Sequence, residues 1–492
     1  METAELISDF IGRFLTTHDG GFLYCSLSFF ITLLIFYAIY IVTRLQRKEV
    51  MQLYVVAFSL FYAYKANGLF MLLLPATTLI SWWITYKMKK ENNRRLRKML
   101  ATLGVLIVLA PLVFFKYTNF TLETLNNIIA SNFSPVEIFL PIGLSFYTFQ
   151  AISYIVDVYK GKFLVHTSLL EYTFYLTFFP LLIAGPITRP STLIPQLKKS
   201  PPVDKNLIYG GLFLIICGIL KKGLIADYIS QYNNWIFQDP QAFSGFEVWM
   251  GILGYTIQIY CDFSGYCDIS IGIAALMGFR LLPNFNCPYR ALNLTEFWRR
   301  WHIALSTWFR DYIYIPLGGN RKGKARTYIN NFITMLFAGW WHGASLMFII
   351  WGGLHGLGLI IQKSSHTLMR KIGDGIGILF FSWLLTFLFV MFTWIFFRAE
   401  NLENAFQVYG KMFGDFDCEY IVPFIKARPI WLILVVSSLI LHLIIDEDVF
   451  GWFRDKFIKI SWLFKMIIFL ISVQLVINFS MENIQPFIYS QF

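Results

Sequence analysis

Two histidines are the residues of this sequence best suited to acid–base chemistry. His342 lies in a run from Thr327 to Gln362 that contains no Asp, Glu, Lys or Arg, and an ionisable group in so apolar a stretch is costly. Such a residue marks a functional site by default, although a histidine hydrogen-bonded inside a helix bundle is the alternative. Flanking glycine and tryptophan residues favour function. His302 lies upstream in the motif W-R-R-W-H, where packing against Trp298 and Trp301 is the alternative to a chemical role.

The segment before that run is strongly basic. Between residues 290 and 326 the only acids are Glu296 and Asp311, and aromatic residues interleave with the bases. A cytoplasmic loop that follows the positive-inside rule explains this charge, and so does a site for an anionic ligand such as a phosphorylated coenzyme. We predict that the segment lies at the membrane interface. Its eight bases are Arg290, Arg299, Arg300, Arg310, Arg321, Lys322, Lys324 and Arg326.

Other reactive side chains carry weaker signals. Asp262 and Asp268 have no third ligand at a recognised spacing, so capping or pairing with arginine is the better interpretation than cation binding. His355 fits no zinc spacing and is predicted to be structural. The six cysteines include no C-x-x-C pair, so no disulfide framework and no metal site are indicated. Buried thiols are usually inert, which argues against Cys267 and Cys287 as acyl carriers.

Long apolar helices must position these residues. Of the 492 residues, 57% are hydrophobic and 14% charged, and many apolar runs reach the roughly 20 residues that span a bilayer. An all-α polytopic membrane protein follows, because backbone that crosses lipid must be hydrogen-bonded internally. Basic cytoplasmic loops explain the net charge of +12 without nucleic acid as a partner. Without a long polar linker, residues 1–492 form one predicted domain, with an interfacial prelude at 1–21.

Interruptions in the apolar runs predict irregular backbone. The run that contains His342 has basic residues on both flanks, so we predict a hairpin broken near His342 and Gly343. Pro141 and Gly143 predict a break at the start of another run. A helix over residues 206–220 is predicted to end at two lysines, Lys221 and Lys222. Charge counting predicts external positions for the loop at 118–134 and for the C-terminal tail at 482–492.

Several long motifs resemble one known family. They are L-P-I-G-L-S-F-Y-T-F-Q from Leu140, F-F-P-L-L-I-A-G-P-I-T-R-P from Phe178, D-F-S-G-Y-C-D-I-S-I-G from Asp262, F-W-R-R-W-H-I-A-L-S-T-W-F-R-D-Y-I-Y-I-P-L-G-G-N-R from Phe297 and W-H-G-A-S from Trp341. The chain resembles the membrane-bound O-acyltransferases, in their bacterial alginate O-acetylation branch. The resemblance covers most of the chain and is weakest over the first 40 residues and from about 365 to 460.

The resemblance implies both a fold and an activity. The fold is a ring of about eleven tilted transmembrane helices with re-entrant segments around a central funnel or tunnel. A catalytic core at residues 290–363 contains the family's intramembrane histidine, which maps onto His342, and its second polar position, which maps onto His302. Members carry an acyl group from a cytoplasmic thioester toward an acceptor across the membrane. The implied protein is multi-pass and lies in the bacterial inner membrane.

The implied donor is acetyl-CoA or another acyl thioester. Its phosphates would meet the basic segment, and the candidate donor-binding residues are Arg299, Arg300, Arg310, Asn320 and Arg321. The resemblance also implies an external partner of the SGNH or GDSL type, which is a Ser-Asp-His esterase-like acetyltransferase, and an exported polysaccharide as the final acceptor. Peptidoglycan, a teichoic acid or a lipid are alternative acceptors, and membrane lipids surround the chain.

The chemistry of a thioester assigns roles to the two histidines. A neutral imidazole takes a proton from an attacking hydroxyl, which makes His342 the predicted general base. His302 then either orients the acceptor or donor, or polarises the thioester carbonyl. A transporter without chemistry is the competing class, because broken helices also occur there. The sequence shows neither paired inverted halves nor a carboxylate inside a clean span, as ion-coupled transport would require.

The terminal hexapeptide F-I-Y-S-Q-F places a tyrosine, Tyr489, three residues from the end. It resembles the ending of the small membrane subunit of the teichoic-acid D-alanylation system, where a tyrosine is thought to carry the acyl group. The resemblance makes Tyr489 a candidate acyl carrier between His342 and the external partner. The alternative is an aromatic anchor at the membrane interface.

Overall fold

The computed structural model describes residues 26–129, 131–163, 167–183, 185–199, 204–372, 375–479 and 488, and every regular element among them is helical. The chain forms two units, one from Met1–Ile215 with Ile269–Leu282 and the other from Ile216–Asp268 with Pro283–Phe492. The α-helices are α1 Leu27–Arg44, α2 Lys48–Asn67, α3 Leu73–Lys90, α4 Arg94–Ile129, α5 Leu144–Tyr159, α6 Leu169–Thr177, α7 Phe179–Leu182, α8 Pro190–Lys198, α9 Lys205–Ile219, α10 Asp227–Gln238, α11 Gly245–Leu276, α12 Leu294–Arg300, α13 Ile303–Phe309, α14 Lys324–His342, α15 Leu346–Ile372, α16 Ile376–Arg398, α17 Leu402–Gly414, α18 Ile421–Ala427, α19 Pro429–Ile444, α20 Glu447–Lys459 and α21 Trp462–Phe479.

The polytopic membrane character is confirmed by the length and apolarity of these helices. Six stretches in the described part of the chain can cross a membrane, or seven if the pair α18 and α19, bent by 100°, forms one span. The predicted number of about eleven is not confirmed, and the ring around a funnel stays a prediction. The six stretches are Lys48–Lys90, Arg94–Ile129, Lys205–Gln238, Leu346–Ser365, Ile376–Arg398 and Trp462–Phe479.

The first unit confirms one predicted break and corrects one predicted loop. Helix α5 begins directly after Gly143, which has a left-handed φ of 84° and leaves no room for a Cβ beside the Leu182 carbonyl. The external loop predicted at 118–134 is wrong for its first part, because α4 remains helical to Ile129. The following chain folds back along α4, where the Asn126 side chain accepts the N–H of Phe133 and donates to its carbonyl.

The predicted end of a helix at Lys221 and Lys222 is also wrong. The helix continues from α9 through a π-helical turn at Leu220–Ala226 into α10. Carboxylates of α11 neutralise both lysines: Asp268 lies 2.8 Å from Lys221 and Asp262 lies 2.6 Å from Lys222. These acids therefore pair with lysine, and not with arginine as we expected.

The second unit contains the predicted hairpin, which is confirmed. Helix α14 ends at His342, Gly343 follows in extended backbone, and α15 begins at Leu346 and packs along α14. Two glycines allow the close approach of the helices. A Cβ on Gly339 would overlap the Phe348 carbonyl oxygen, and one on Gly352 would overlap the Met335 carbonyl oxygen.

We predict that Gly339→Ala destabilises the protein by about 1–3 kcal/mol, because the added methyl group must push α14 and α15 apart. Gly353→Ala is the matched control, since the nearest atom to its Cβ is a Leu336 side-chain carbon at 3.7 Å. Alanine also favours a helix over glycine by up to about 1 kcal/mol. Thermal unfolding in detergent compares the two variants, and equal melting temperatures would contradict the close-contact argument.

Candidate active site

His302 occupies a strained position between α12 and α13. Its backbone is left-handed, with φ 43° and ψ 56°, and it is one of two non-glycine residues in the described part of the chain with positive φ. This conformation costs of order 1–3 kcal/mol and persists only where the surroundings enforce it. The backbone carbonyl of Asn284 accepts the N–H of Ile303 at 2.9 Å and holds the chain in this turn.

The imidazole of His302 is completely buried, with 0% of the residue exposed. Its Nδ1 lies 3.1 Å from Oδ1 of Asn284, and its ring meets Phe263 edge-on at a centroid distance of 4.7 Å. The residue lies outside the candidate membrane spans. Burial lowers the pKa of the imidazole from 6.5 to about 3, so the ring is neutral at physiological pH.

His342 lies at the end of α14 and is 3% exposed. Its ring packs against three aromatic rings, with centroid distances of 5.0 Å to Trp341 and 5.2 Å to both Trp351 and Phe397. The ring of Trp341 also lies 6.3 Å from that of His302. The structure thus brings both predicted histidines close to the indole of Trp341. None of these ring contacts involves a charged side chain.

The ring of His355 also contacts that of Trp351. Its ring centroid is 4.9 Å from that of Trp351, and its Nε2 lies 3.1 Å from Oγ1 of Thr393. The Thr393 hydroxyl donates to the carbonyl of Val390 at 2.8 Å, so its oxygen is left to accept the His355 N–H. This arrangement agrees with the structural role predicted for His355. We refer to His302, Trp341, His342, Trp351 and His355 as the histidine–tryptophan cluster.

The five candidate donor-binding residues fall into two groups. Arg300 pairs with Glu296 at 2.8 Å and also donates to the carbonyl of Asn286, and Arg310 pairs with Asp311 at 2.9 Å. The other three are exposed, and none of them forms an ion pair within the described part of the chain; they are Arg299, Asn320 and Arg321.

Asn320 and Arg321 belong to a cationic loop, which we define as residues 318–326. Three of its glycines, Gly318, Gly319 and Gly323, have left-handed φ values of 113°, 55° and 85°. The side chain of Asn330 in α14 donates to the Gly319 carbonyl at 2.9 Å and anchors the loop to the hairpin. Its bases are exposed, which leaves them able to meet an anionic ligand; they are Arg321, Lys322, Lys324 and Arg326.

A buried ionic network lies elsewhere in the second unit. Lys222 is bound by Asp227 at 2.7 Å and by Asp262 at 2.6 Å. The second oxygen of Asp262 accepts the N–H of Ile488, which is itself buried, at 3.1 Å. Tyr489, the candidate acyl carrier, lies outside the described residues. Among the described residues, no group of three or more His, Cys, Asp or Glu side chains could hold a metal ion.

Asn284 is a site residue that sequence reasoning missed. It is 1% exposed, and its Nδ2 donates to Sγ of Cys267 at 3.2 Å. The only signal was an asparagine within a short loop of sequence L-L-P-N-F-N-C-P, directly before the basic segment. Cys267 therefore has a hydrogen-bonding role, and Cys287 donates through Sγ to the carbonyl of Ile445 at 3.1 Å.

Comparisons with known proteins bear on the same motifs. Residues 162–402 match the model described as MBOAT, membrane-bound O-acyltransferase family. The "Probable alginate O-acetylase AlgI" of Pseudomonas putida is 37% identical over 491 residues, which cover 94% of this chain and 98% of that protein. Its namesake in Pseudomonas aeruginosa is 42% identical over 370 residues, 74% of this chain and 69% of that protein. The "Peptidoglycan O-acetyltransferase" of Helicobacter pylori is 36% identical over 394 residues, 74% of each chain. The family match includes both His302 and His342.

Proposed function

The chain belongs to the membrane-bound O-acyltransferase family, and we propose that it moves an acetyl group from cytoplasmic acetyl-CoA across the membrane for O-acetylation of a cell-surface polysaccharide. It is an O-acetyltransferase enzyme by family and by its relatives. The observation that carries the mechanism is the meeting of two buried histidines at the indole of Trp341. The broken hairpin supports this assignment, because it places His342 at the end of α14 and not in the middle of a helix.

His342 is the general base in this proposal. The imidazole takes the proton of the attacking hydroxyl, and the hydroxyl oxygen bonds to the thioester carbonyl carbon. The C–S bond then breaks, and the imidazolium returns its proton to the departing coenzyme A sulfur. The rings of Trp341, Trp351 and Phe397 around His342 exclude water, which protects the thioester from hydrolysis.

The cationic loop and Arg299 are the proposed contacts for the phosphates of the donor. Both are exposed and carry bases without ion-pair partners among the described residues. Exposed guanidinium and ammonium groups bind phosphate through charge-assisted hydrogen bonds. This assignment places residues 318–326 on the cytoplasmic face of a bacterial inner membrane, as the positive-inside rule also favours.

The proposed final acceptor is supported by the names of the relatives. Two relatives carry the name alginate O-acetylase, which favours an exported polysaccharide acceptor. An external partner of the SGNH or GDSL type belongs to the proposal as what the family resemblance implies. A peptidoglycan acceptor is the second candidate, because one relative of comparable identity is named peptidoglycan O-acetyltransferase. Tyr489 is the proposed carrier that passes acetyl from the His342 site to the partner.

Replacing His342 tests the mechanism. His342→Ala should fold but lose transfer by about 10²–10⁴-fold, the usual contribution of a positioned general base. His355→Ala is the control, since it removes another buried histidine from the same Trp351 ring; it should lower stability and spare the activity of the folded fraction. Transfer from labelled acetyl-CoA is measured per folded protein, and near-normal transfer by His342→Ala would show that the assignment is wrong.

Neutralising the cationic loop tests donor binding. The double variant Arg321→Gln with Lys322→Gln should raise KM for acetyl-CoA several-fold and leave kcat unchanged, with the larger effect at low salt. The pair Lys456→Gln and Lys459→Gln, exposed bases of α20, is the control for net charge and should leave KM unchanged. An equal KM in the loop variant and the wild type would remove the loop from the donor site.

The sidedness of the loop has its own test. Lys322→Cys, made in a background where the exposed Cys418 is serine, should react with an impermeant maleimide from the cytoplasmic face only. Labelling from the external face would overturn both the topology and the assignment of the loop to the donor.

Tyr489→Phe tests the relay, because it keeps the ring that could anchor the tail and removes the nucleophile. We expect loss of transfer to the partner with unchanged thermal stability, since a phenylalanine cannot form the aryl ester. Intact-peptide mass analysis of the wild type should find one acetyl group on the C-terminal peptide. Full transfer by the phenylalanine variant would reduce the tail to a membrane anchor.

A further inference from the structure

We propose that Asn284 is a positioning residue that holds the ring proton of His302 on Nδ1, so that Nε2 carries a lone pair. His302 then orients the bound donor or acceptor by accepting a hydrogen bond at Nε2, and does not donate one to the thioester carbonyl; the proton of the attacking hydroxyl goes to His342. This inference rests on the proposed function, because it concerns the same transfer. It decides between two roles that the sequence left open for His302.

The hydrogen bonds around Asn284 identify the atom that faces His302. Oδ1 accepts the backbone N–H of Ala304 at 3.0 Å and lies 3.1 Å from Nδ1 of His302, while Nδ2 donates to Sγ of Cys267 at 3.2 Å. A backbone N–H can only donate, so the atom in front of it is the amide oxygen. An amide oxygen can only accept. Nδ1 of His302 must therefore be the donor.

The neutral imidazole has one N–H, so its position on Nδ1 leaves Nε2 as an acceptor. The complete burial of His302 keeps the ring neutral. A neutral ring of this tautomer cannot stabilise an oxyanion through Nε2, because it has no proton there to donate. It can accept a hydrogen bond from an N–H or O–H group of the bound donor or acceptor, which orients that molecule while His342 takes the proton of the attacking hydroxyl.

The backbone geometry shows why Asn284 acts as a clamp. Its carbonyl oxygen accepts the N–H of Ile303 at 2.9 Å, and two residues later the N–H of Asn286 donates to the Arg300 carbonyl at 2.9 Å. The segment 284–286 is thus bonded to both sides of His302. One asparagine holds the strained left-handed backbone with its main chain and sets the ring proton with its side chain, which matches the way that strain persists at functional positions.

The direct test is the tautomer itself. Protein labelled with ¹⁵N-histidine gives signals for its seven histidines, and comparison with His302→Gln assigns the one from His302. The wild type should show the Nδ1–H form, which differs from the Nε2–H form that free histidine side chains favour. Asn284→Ala should lose that form, and kcat should fall by at least about tenfold with KM little changed. Asn286→Ala is the control, because the backbone contacts of Asn286 remain while its side chain bonds to nothing among the described residues. The tautomer of His302 and the kcat of this variant should match those of the wild type.

A second variant keeps the test decisive if Asn284→Ala fails to fold. Asn284→Asp retains an acceptor for both Nδ1–H and the Ala304 N–H, and its carboxylate raises the pKa of His302 from the low value set by burial. The ring of His302 then becomes protonated as the pH falls. The activity of this variant should therefore decline toward acidic pH over a range where the activity of the wild type is constant. A purely structural role would leave the pH profile unchanged.

Four results decide between this inference and its failure, and one of them separates it from the proposed function. An Nε2–H signal in the wild type overturns the inference, as does an unchanged tautomer in folded Asn284→Ala or a flat pH profile in Asn284→Asp. An Nδ1–H signal in a protein that never cleaves acetyl-CoA supports the role of Asn284 in holding that proton and contradicts the proposed function. The tautomer measurement needs no acetyl transfer, so the two can fail independently.

Discussion

The close backbone contact between α14 and α15 determines where the chemistry of this protein can take place. Gly339 and Gly352 let the helices touch, and the chain can turn back only if α14 ends at His342. The imidazole therefore lies at a helix end and faces Trp351 of the returning helix, instead of packing in the middle of a span. From this point, ring contacts extend through Trp341 to His302 and through Trp351 to His355. The positions of His342 and His355 thus depend on one glycine-mediated contact, whereas Asn284 holds the turn at His302.

Burial then decides what each ionisable group can do. Lysine and aspartate side chains in the second unit are neutralised by one another, as in the network of Lys222 with Asp227 and Asp262, because an isolated buried charge would be far too costly. His302 instead has aromatic neighbours, and burial lowers the pKa of its imidazole, so the ring is neutral. Exposed bases occur in the cationic loop, where water and anionic ligands can reach them. In the proposed mechanism, proton transfer and anion binding are therefore assigned to different residues.

The sequence was most informative where a local signal decides the structure. The uncharged run around His342 with glycine after it predicted the hairpin break, because spacing and helix-breaking residues act locally. Prediction from the sequence failed where the partners of a residue come from distant positions in the chain. We predicted that a helix ends at Lys221 and Lys222, because the sequence alone does not show the carboxylates of α11 that pair with them. Asn284 gave little signal, because its role depends on contacts with residues 302–304 that only the folded chain brings near.

The central claim is that the site around His342 and His302 catalyses cleavage of a thioester and transfer of its acyl group, and does not simply let a molecule pass. The most direct test supplies the purified protein in proteoliposomes with acetyl-CoA labelled on the acetyl group, and follows both free coenzyme A thiol and the location of the label. The account predicts thiol release on the donor side, matched by acetyl ester on the protein or on a hydroxyl acceptor. Movement of label without thiol release, or an intact thioester after prolonged incubation with bound donor, would contradict it.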